Sequence, residues 1–244
     1  MEYKSYKIGE RLVFAPDKEL KTLLRQRLVE LKATDRSLIH PFIVEPVYTG
    51  KHDISVFGHR HGLRRFLAGH VGNRIFITVD FVHAFHQVGR DMIATLFPRI
   101  ANPFFDACFV ELSGQNIIPI GFPTSNFIFE IFASRKFDTQ LADWQNKHAG
   151  VVTRYTDNIL ATWRKNTKES FEDLQKIFEG FQVRFTPKEP RKWEEPIRFC
   201  GITIPRRGRP HLSNLKTRKL LYEARKKSLD ALDGAQRFVD EWSQ

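Results

Sequence analysis

Two aspartates in this sequence stand where a carboxylate could hold a hard cation. Asp80 closes the run Arg74–Val79, RIFITV, whose apolar and β-branched residues predict a buried strand with an acid at its C-terminal end. Asp157 lies in GVVTRYTDNILATW, residues 150–163, where two β-rich runs meet at Asp157-Asn158. That pair tolerates the backbone of a tight turn, so the pattern predicts a hairpin with an acidic tip. Carboxylate oxygens suit magnesium, and two brought together suit metal-assisted phosphoryl transfer. Taken singly, either aspartate is more readily an ordinary turn residue.

The elements that must position these acids follow a mixed order. Leu20, Leu23, Leu24, Leu28 and Leu31 recur at three- and four-residue steps between Asp17 and Ala33, which predicts an amphipathic helix. Pro41 to Gly72 is broken by five glycines and reads as loops with short helical pieces. After Asp80, Phe81 to Ile100 has mixed helical spacing. Thr124 or Ser125 can cap a bulky, buried helix running through Asp138, and Thr167 can cap another that closes at Gly180. Strands are expected at Gln182–Phe185 and Ile197–Ile204, and a basic helical tail after Pro205. Strand, helices, hairpin, helix, strands is an α+β pattern.

Composition narrows the class. The 244 residues carry 41% hydrophobic and 27% charged side chains, ordinary for a folded domain, and a formal charge of +11 favours polyanionic partners, nucleic acid first. Cys108 and Cys200 are the two cysteines; they form no zinc or disulfide framework and fit a reducing cytoplasm. The first ten residues lack the apolar core of a signal peptide, and no run is long enough to span a bilayer, so a soluble cytoplasmic protein is expected.

Five segments, in order, resemble the motifs of reverse transcriptases of the retron and group II intron type. Asp80-Phe81-Val82-His83-Ala84-Phe85 is similar to the first catalytic motif, an Asp followed five positions later by an aromatic. Pro119-Ile120-Gly121-Phe122-Pro123-Thr124-Ser125 is similar to the Gly-x-Pro-Thr-Ser turn that opens a long helix, with Phe137-Asp138 in place of Leu-Asp. Arg154-Tyr155-Thr156-Asp157-Asn158 resembles the Tyr-x-Asp-Asp hairpin, Lys188 takes the place of the fourth-motif lysine, and Phe199-Cys200-Gly201-Ile202 resembles the primer-grip turn. The match covers Ile75 to Ile204.

The resemblance implies a right-hand polymerase with fingers at 1–73, palm at 74–204 and a thumb at 205–244. It implies RNA-directed DNA synthesis on a primer 3′-hydroxyl, in a retron, intron or defence element. Asp80 and Asp157, with the backbone carbonyl of Phe81, would hold Mg2+, with Mn2+ as the alternative. Phe85 would exclude a 2′-hydroxyl, although it reads equally as a core aromatic. Gly121, Pro123, Thr124, Ser125 and Tyr155 would border the nucleotide, Lys188 would meet the leaving phosphate, and Phe199, Cys200 and Gly201 would grip the primer. Arg64 and Arg65 are the candidate triphosphate contacts, because guanidinium forks match phosphate oxygens.

Expected partners are an RNA template, primer, dNTPs and the RNA/DNA duplex, with an accessory or effector protein besides and no membrane. The sequence also departs from the family. Asn158 replaces the second hairpin aspartate, Ile120 and Asn126 stand where Gln and Pro are usual, and the fingers strands are not found before Phe57. A catalytically impaired module that binds structured RNA is the alternative reading.

Overall fold

The computed structural model describes residues 2–35, 67–165, 168–192 and 194–243. Arg64 and Arg65, most of the glycine-rich stretch and Thr167 lie outside them. Within them the chain is α+β with antiparallel strands, as its pattern predicts.

The centre is a four-stranded sheet in the order β6-β7-β3-β8, built from β3 (Ile75–Phe81), β6 (Val151–Tyr155), β7 (Asn158–Trp163) and β8 (Val183–Lys192), all antiparallel. β3 alternates cleanly. Ile75, Ile77, Val79 and Phe81 are buried, while Phe76, Thr78 and Asp80 point to the other face. β7 is buried on both sides. Ile159, Ala161 and Trp163 join the main core, and Leu160 joins a second cluster with Leu67, Ile197, Phe199, Ile202 and Ile204.

The main core is filled by helices. α1 (Lys18–Asp35) begins after Asp17, whose carboxylate accepts the Leu20 N–H at 2.7 Å, and it buries Leu20, Leu24 and Leu31. α2 (Arg90–Leu96) follows a 3₁₀ turn at Ala84–Gln87, so the stretch after Phe81 is broken rather than one helix. A short hairpin follows, β4 (Val110–Leu112) with β5 (Gln115–Ile117).

The aromatic helix expected through Asp138 is longer. α3 (Ser125–Ala133) passes through a π-helical turn at Ser134–Asp138 into α4 (Thr139–His148), because Leu141 and Trp144 continue its buried side. Thr124 already has helical backbone, and its side chain caps nothing. Phe129, Phe132 and Phe137 from this element meet Phe81, Phe178 and Phe181 in a set of tilted and edge-on rings with centroids 5.0–6.3 Å apart. α5 (Lys168–Ile177) closes the same side.

Two other readings change. The strand expected at Gln182–Phe185 extends to Lys192, and the one expected over Ile197–Ile204 is a hairpin of β9 (Ile197–Phe199) and β10 (Ile202–Ile204). Cys200 and Gly201 both take positive φ, 48° and 80°, which is the backbone of a two-residue hairpin turn. β11 (His211–Leu212) completes that sheet; α6 (Asn214–Arg225) carries the basic part of the tail, and α7 (Leu229–Ser243), whose sequence holds Asp230, Asp233, Asp240 and Glu241 with Arg237 as its one cation, is acidic. The chain start is also a hairpin, β1 (Tyr3–Ile8) with β2 (Arg11–Pro16). Among the described residues no helix is long and apolar enough to cross a membrane.

Candidate active site

β3 and β6–β7 bring the two aspartates to one end of one sheet. Asp80 is the Cα partner of Asn158, and the Phe81 N–H donates to the Asp157 carbonyl at 3.4 Å. Directly opposed Cα atoms in antiparallel strands stand about 4.5–5.5 Å apart, so the carboxylate of Asp157, one residue from Asn158, lies within reach of Asp80. Their 77 intervening sequence steps (157 − 80) collapse to one rung of the ladder. Burial raises the Asp157 carboxyl above its usual range, and the negative Asp80 raises it further. The residue's own backbone N–H, Arg11 and Asn158 pull the other way.

Asn158 does not add a ligand charge. Its side-chain Nδ2 donates to Asp157 Oδ1 at 2.9 Å, favouring the ionised form of that acid. Among the described residues no group of three or more His, Cys, Asp or Glu side chains could gather on one metal ion. The donors here are two carboxylates and nearby backbone carbonyls, hard oxygens of the kind that magnesium takes when substrate phosphates and water complete its shell.

The turn at Gly121 is tied to the first hairpin, whose Arg11 acts on Asp157. Gly121 has φ +107°, and a Cβ there would run into the Phe14 carbonyl oxygen, so glycine is required both for conformation and for space. The Phe14 N–H donates to the Ile120 carbonyl at 2.8 Å, and Tyr3 packs edge-on to Phe122, so the first hairpin is fastened to this turn. Thr124 and Ser125 are buried, and Ser125 Oγ donates to the Pro119 carbonyl. Gly121 is the exposed residue of the turn, and Ile120 and Pro123 are half-buried.

The other candidates fall into two groups. Phe85, on the 3₁₀ turn after Asp80, is half-buried with its ring 5.1 Å from that of Phe129. Tyr155 packs in the second cluster beside the Cys200 turn. The Cys200 thiol is pushed up to about 12, chiefly by burial and also by the negative charges of Asp157 and Asp80, which places the Phe199-Cys200-Gly201 turn at the acidic end. Lys188 is set apart. β8 pairs Thr186 with Thr78 and then Arg191 with Phe76, so Pro187 to Pro190 bulge out opposite Ile77, and Lys188 is exposed on that bulge.

Sequence reasoning missed two cations that the fold brings in. Arg184 is the Cα partner of Asp80 on β8, and Arg11 at the start of β2 acts on Asp157 across space. Alternation in Val183-Arg184-Phe185-Thr186 marks Arg184 as outward-facing, but nothing local pairs it with Asp80. A third omission is Arg154. It is wholly buried under the hairpin, where Nε and Nη2 donate to the Asp138 carboxylate at 2.8 and 2.9 Å and Nη1 donates to the Thr156 carbonyl at 2.7 Å.

No family model matches the sequence, and no curated protein matches it. Among solved structures the chain is similar to the Candida tropicalis telomerase in complex with a TWJ fragment of telomeric RNA, with a TM-score of 0.51 and 11% identity, covering 98% of this chain and 53% of that one. Weaker likenesses are to the Candida albicans telomerase with a TWJ fragment of telomeric RNA (TM-score 0.48, 10% identity, 90% of this chain and 47% of that one) and to a foamy viral protease-reverse transcriptase in complex with double-stranded DNA (TM-score 0.44, 15% identity, 96% and 34%). The chain spans about half the length of these proteins or less. The likeness is one of fold, an antiparallel sheet with packed helices shared with the Candida tropicalis telomerase.

Proposed function

We propose that the chain is a template-directed nucleotidyl transferase of the reverse transcriptase type, adding dNTPs to a primer 3′-hydroxyl on an RNA template. The observation that carries the reading is the placement of Asp80 and Asp157 at the same end of adjacent strands, with the Asp80 charge felt at the Asp157 carboxyl. Two carboxylates so close repel one another, and a shared divalent cation relieves that repulsion. Mg2+ held by Asp80, Asp157 and the Phe81 carbonyl supplies, when bound, activation of the 3′-hydroxyl and neutralisation of the leaving pyrophosphate.

The chain's own residues do the rest. Phe85 walls the sugar pocket against a 2′-hydroxyl, the Gly121 turn lets backbone approach the new base pair, and the +11 formal charge draws the template and primer. Arg11 and Arg184 supply cations at the acidic end, where guanidinium forks match triphosphate oxygens. The fold shared with a telomerase that is complexed with telomeric RNA supports an RNA partner.

Primer extension on an RNA template with dNTPs and Mg2+ or Mn2+ tests the reading. Metal ligation is worth several kcal/mol in the transition state, so Asp80→Ala and Asp157→Ala each lower incorporation on the order of 10³-fold. Absence of incorporation with either metal, or an Asp80→Ala chain that extends like the parent, sinks it. One observation favours a second reading: the Asn158 amide occupies an Asp157 oxygen that a metal needs. A module that only binds structured RNA predicts salt-sensitive RNA binding that Asp157→Ala leaves unchanged and no incorporation at all.

A further inference from the structure

Asp157 sits on a turn that the residue before it does not favour. Thr156, the residue before it, has φ +52°, a left-handed conformation that a β-branched residue rarely adopts without support from its surroundings. The support is a buried charge cluster beneath the hairpin. Arg154 grips Asp138 with two parallel bonds, its Nη1 lies 2.7 Å from Glu130 Oε2, and the same Nη1 donates to the Thr156 carbonyl at 2.7 Å. Arg154, Asp138 and Glu130 are all at most 1% exposed, so no water competes for these bonds. The Thr156 carbonyl belongs to the peptide group whose nitrogen is that of Asp157, and fixing it fixes the point from which the Asp157 side chain departs.

Glu130 and Asp138 come from the long helix, and Asp138 ends its π-helical turn, a local irregularity that is frequent at functional sites. The frame thus comes from a different element than the turn it holds. Arg154 is the only one of the three on the hairpin itself, on β6.

We propose that Arg154 is a positioning residue: anchored by Asp138 and Glu130, it pins the Thr156–Asp157 peptide in its left-handed turn so that the Asp157 carboxylate stays beside Asp80 for a shared divalent cation. This rests on the reading that the two aspartates hold that cation. Lysine in its place keeps the charge but lacks the planar fork, and cannot grip Asp138 twice while bonding the Thr156 carbonyl. Glycine at 156 adopts positive φ without strain and makes the brace dispensable.

Four chains test this: the parent, Arg154→Lys, Thr156→Gly and the double variant, each followed by Mn2+ titration (electron paramagnetic resonance), primer-extension kcat and KM, and thermal unfolding. Groups that orient metal ligands typically matter about 10–100-fold, so Arg154→Lys is expected to weaken Mn2+ binding and lower kcat by that factor, with the dNTP KM within about twofold. Thr156→Gly added to it restores most of the Mn2+ affinity while leaving the loss in melting temperature in place. Arg154→Lys with parental Mn2+ affinity overturns the proposal. So does a double variant in which affinity and melting temperature stay lowered together, since that marks a purely structural role. Should Arg154→Lys not fold, Asp138→Asn loosens the same guanidinium and is read in the same way with Thr156→Gly. A parent that binds Mn2+ through Asp80 but extends no primer defeats the polymerase reading and leaves the Mn2+ comparison to decide the brace; a parent that binds no Mn2+ overturns both.

Discussion

Two charge clusters in this molecule use the same chemistry at the same distances and differ in water. Under the hairpin, Arg154 meets Asp138 and Glu130 at 2.7–2.9 Å with all three side chains buried. Between α4 and α5, Lys147 meets Glu169 and Asp173 at 2.7 Å, and His148 Nε2 lies 3.1 Å from Asp173, but Lys147 and Glu169 are more than half exposed. Bond length therefore says little about worth. Water screens and replaces the second set, whereas the first has no substitute partner when one member is removed. Burial raises the Glu130 carboxyl, and the Arg154 charge beside it pulls back, which is the cost of assembling such a cluster.

The largest effect that sharpens this contrast is Arg154→Met. It strands two buried carboxylates and is expected to cost about 3–5 kcal/mol in urea unfolding. A loss under about 1 kcal/mol would erase the distinction between the clusters.

Next comes a pH effect at a buried polar site without a charge partner. His70 is buried between Thr162 and Thr153, each 2.8 Å from a ring nitrogen, and burial lowers its pKa to about 3. The folded state thus refuses a proton that the unfolded chain accepts near pH 6.5. Stability contributed by neutral His70 is full above that value and is lost as pH falls from about 6.5 towards 3, with a slope on the order of 1 kcal/mol per pH unit. Urea unfolding between pH 7 and 5 reads it, and His70→Gln should flatten the slope. The smallest effect belongs to Lys147→Ala, for which the melting temperature should match the parent at both low and high salt. A clear drop would show that the exposed cluster is built, as the buried one is.

The same contrast explains what the sequence revealed. The strand carrying Asp80 and the hairpin at Asp157 were legible because both are local patterns: RIFITV is an apolar, β-branched run and two β-rich runs meet at Asp157, although the loop is Thr156-Asp157 and Asn158 already begins β7. α1 was legible for the same reason. The hairpin of β1 and β2 was not, since Lys4, Lys7, Glu10 and Arg11 dilute its alternation and its anchor, Ile120, lies more than a hundred residues away. Arg154 carries no local signal of its role. Its burial depends on Asp138 and Glu130 arriving from another element. Lys188 was placed by motif alone, and the bulge that sets it apart is a property of pairing with β3, which no local window contains.

β7 lends one face to each of two cores, Ile159, Ala161 and Trp163 to one and Leu160 to the other. Removing or adding a single residue between Asn158 and Trp163 would therefore turn Leu160 into the wrong interior and break both at once. Insertions and deletions in descendants of this chain should accumulate in its connecting loops and spare this six-residue segment, which acts as a ruler between the acidic turn and the far edge of the sheet.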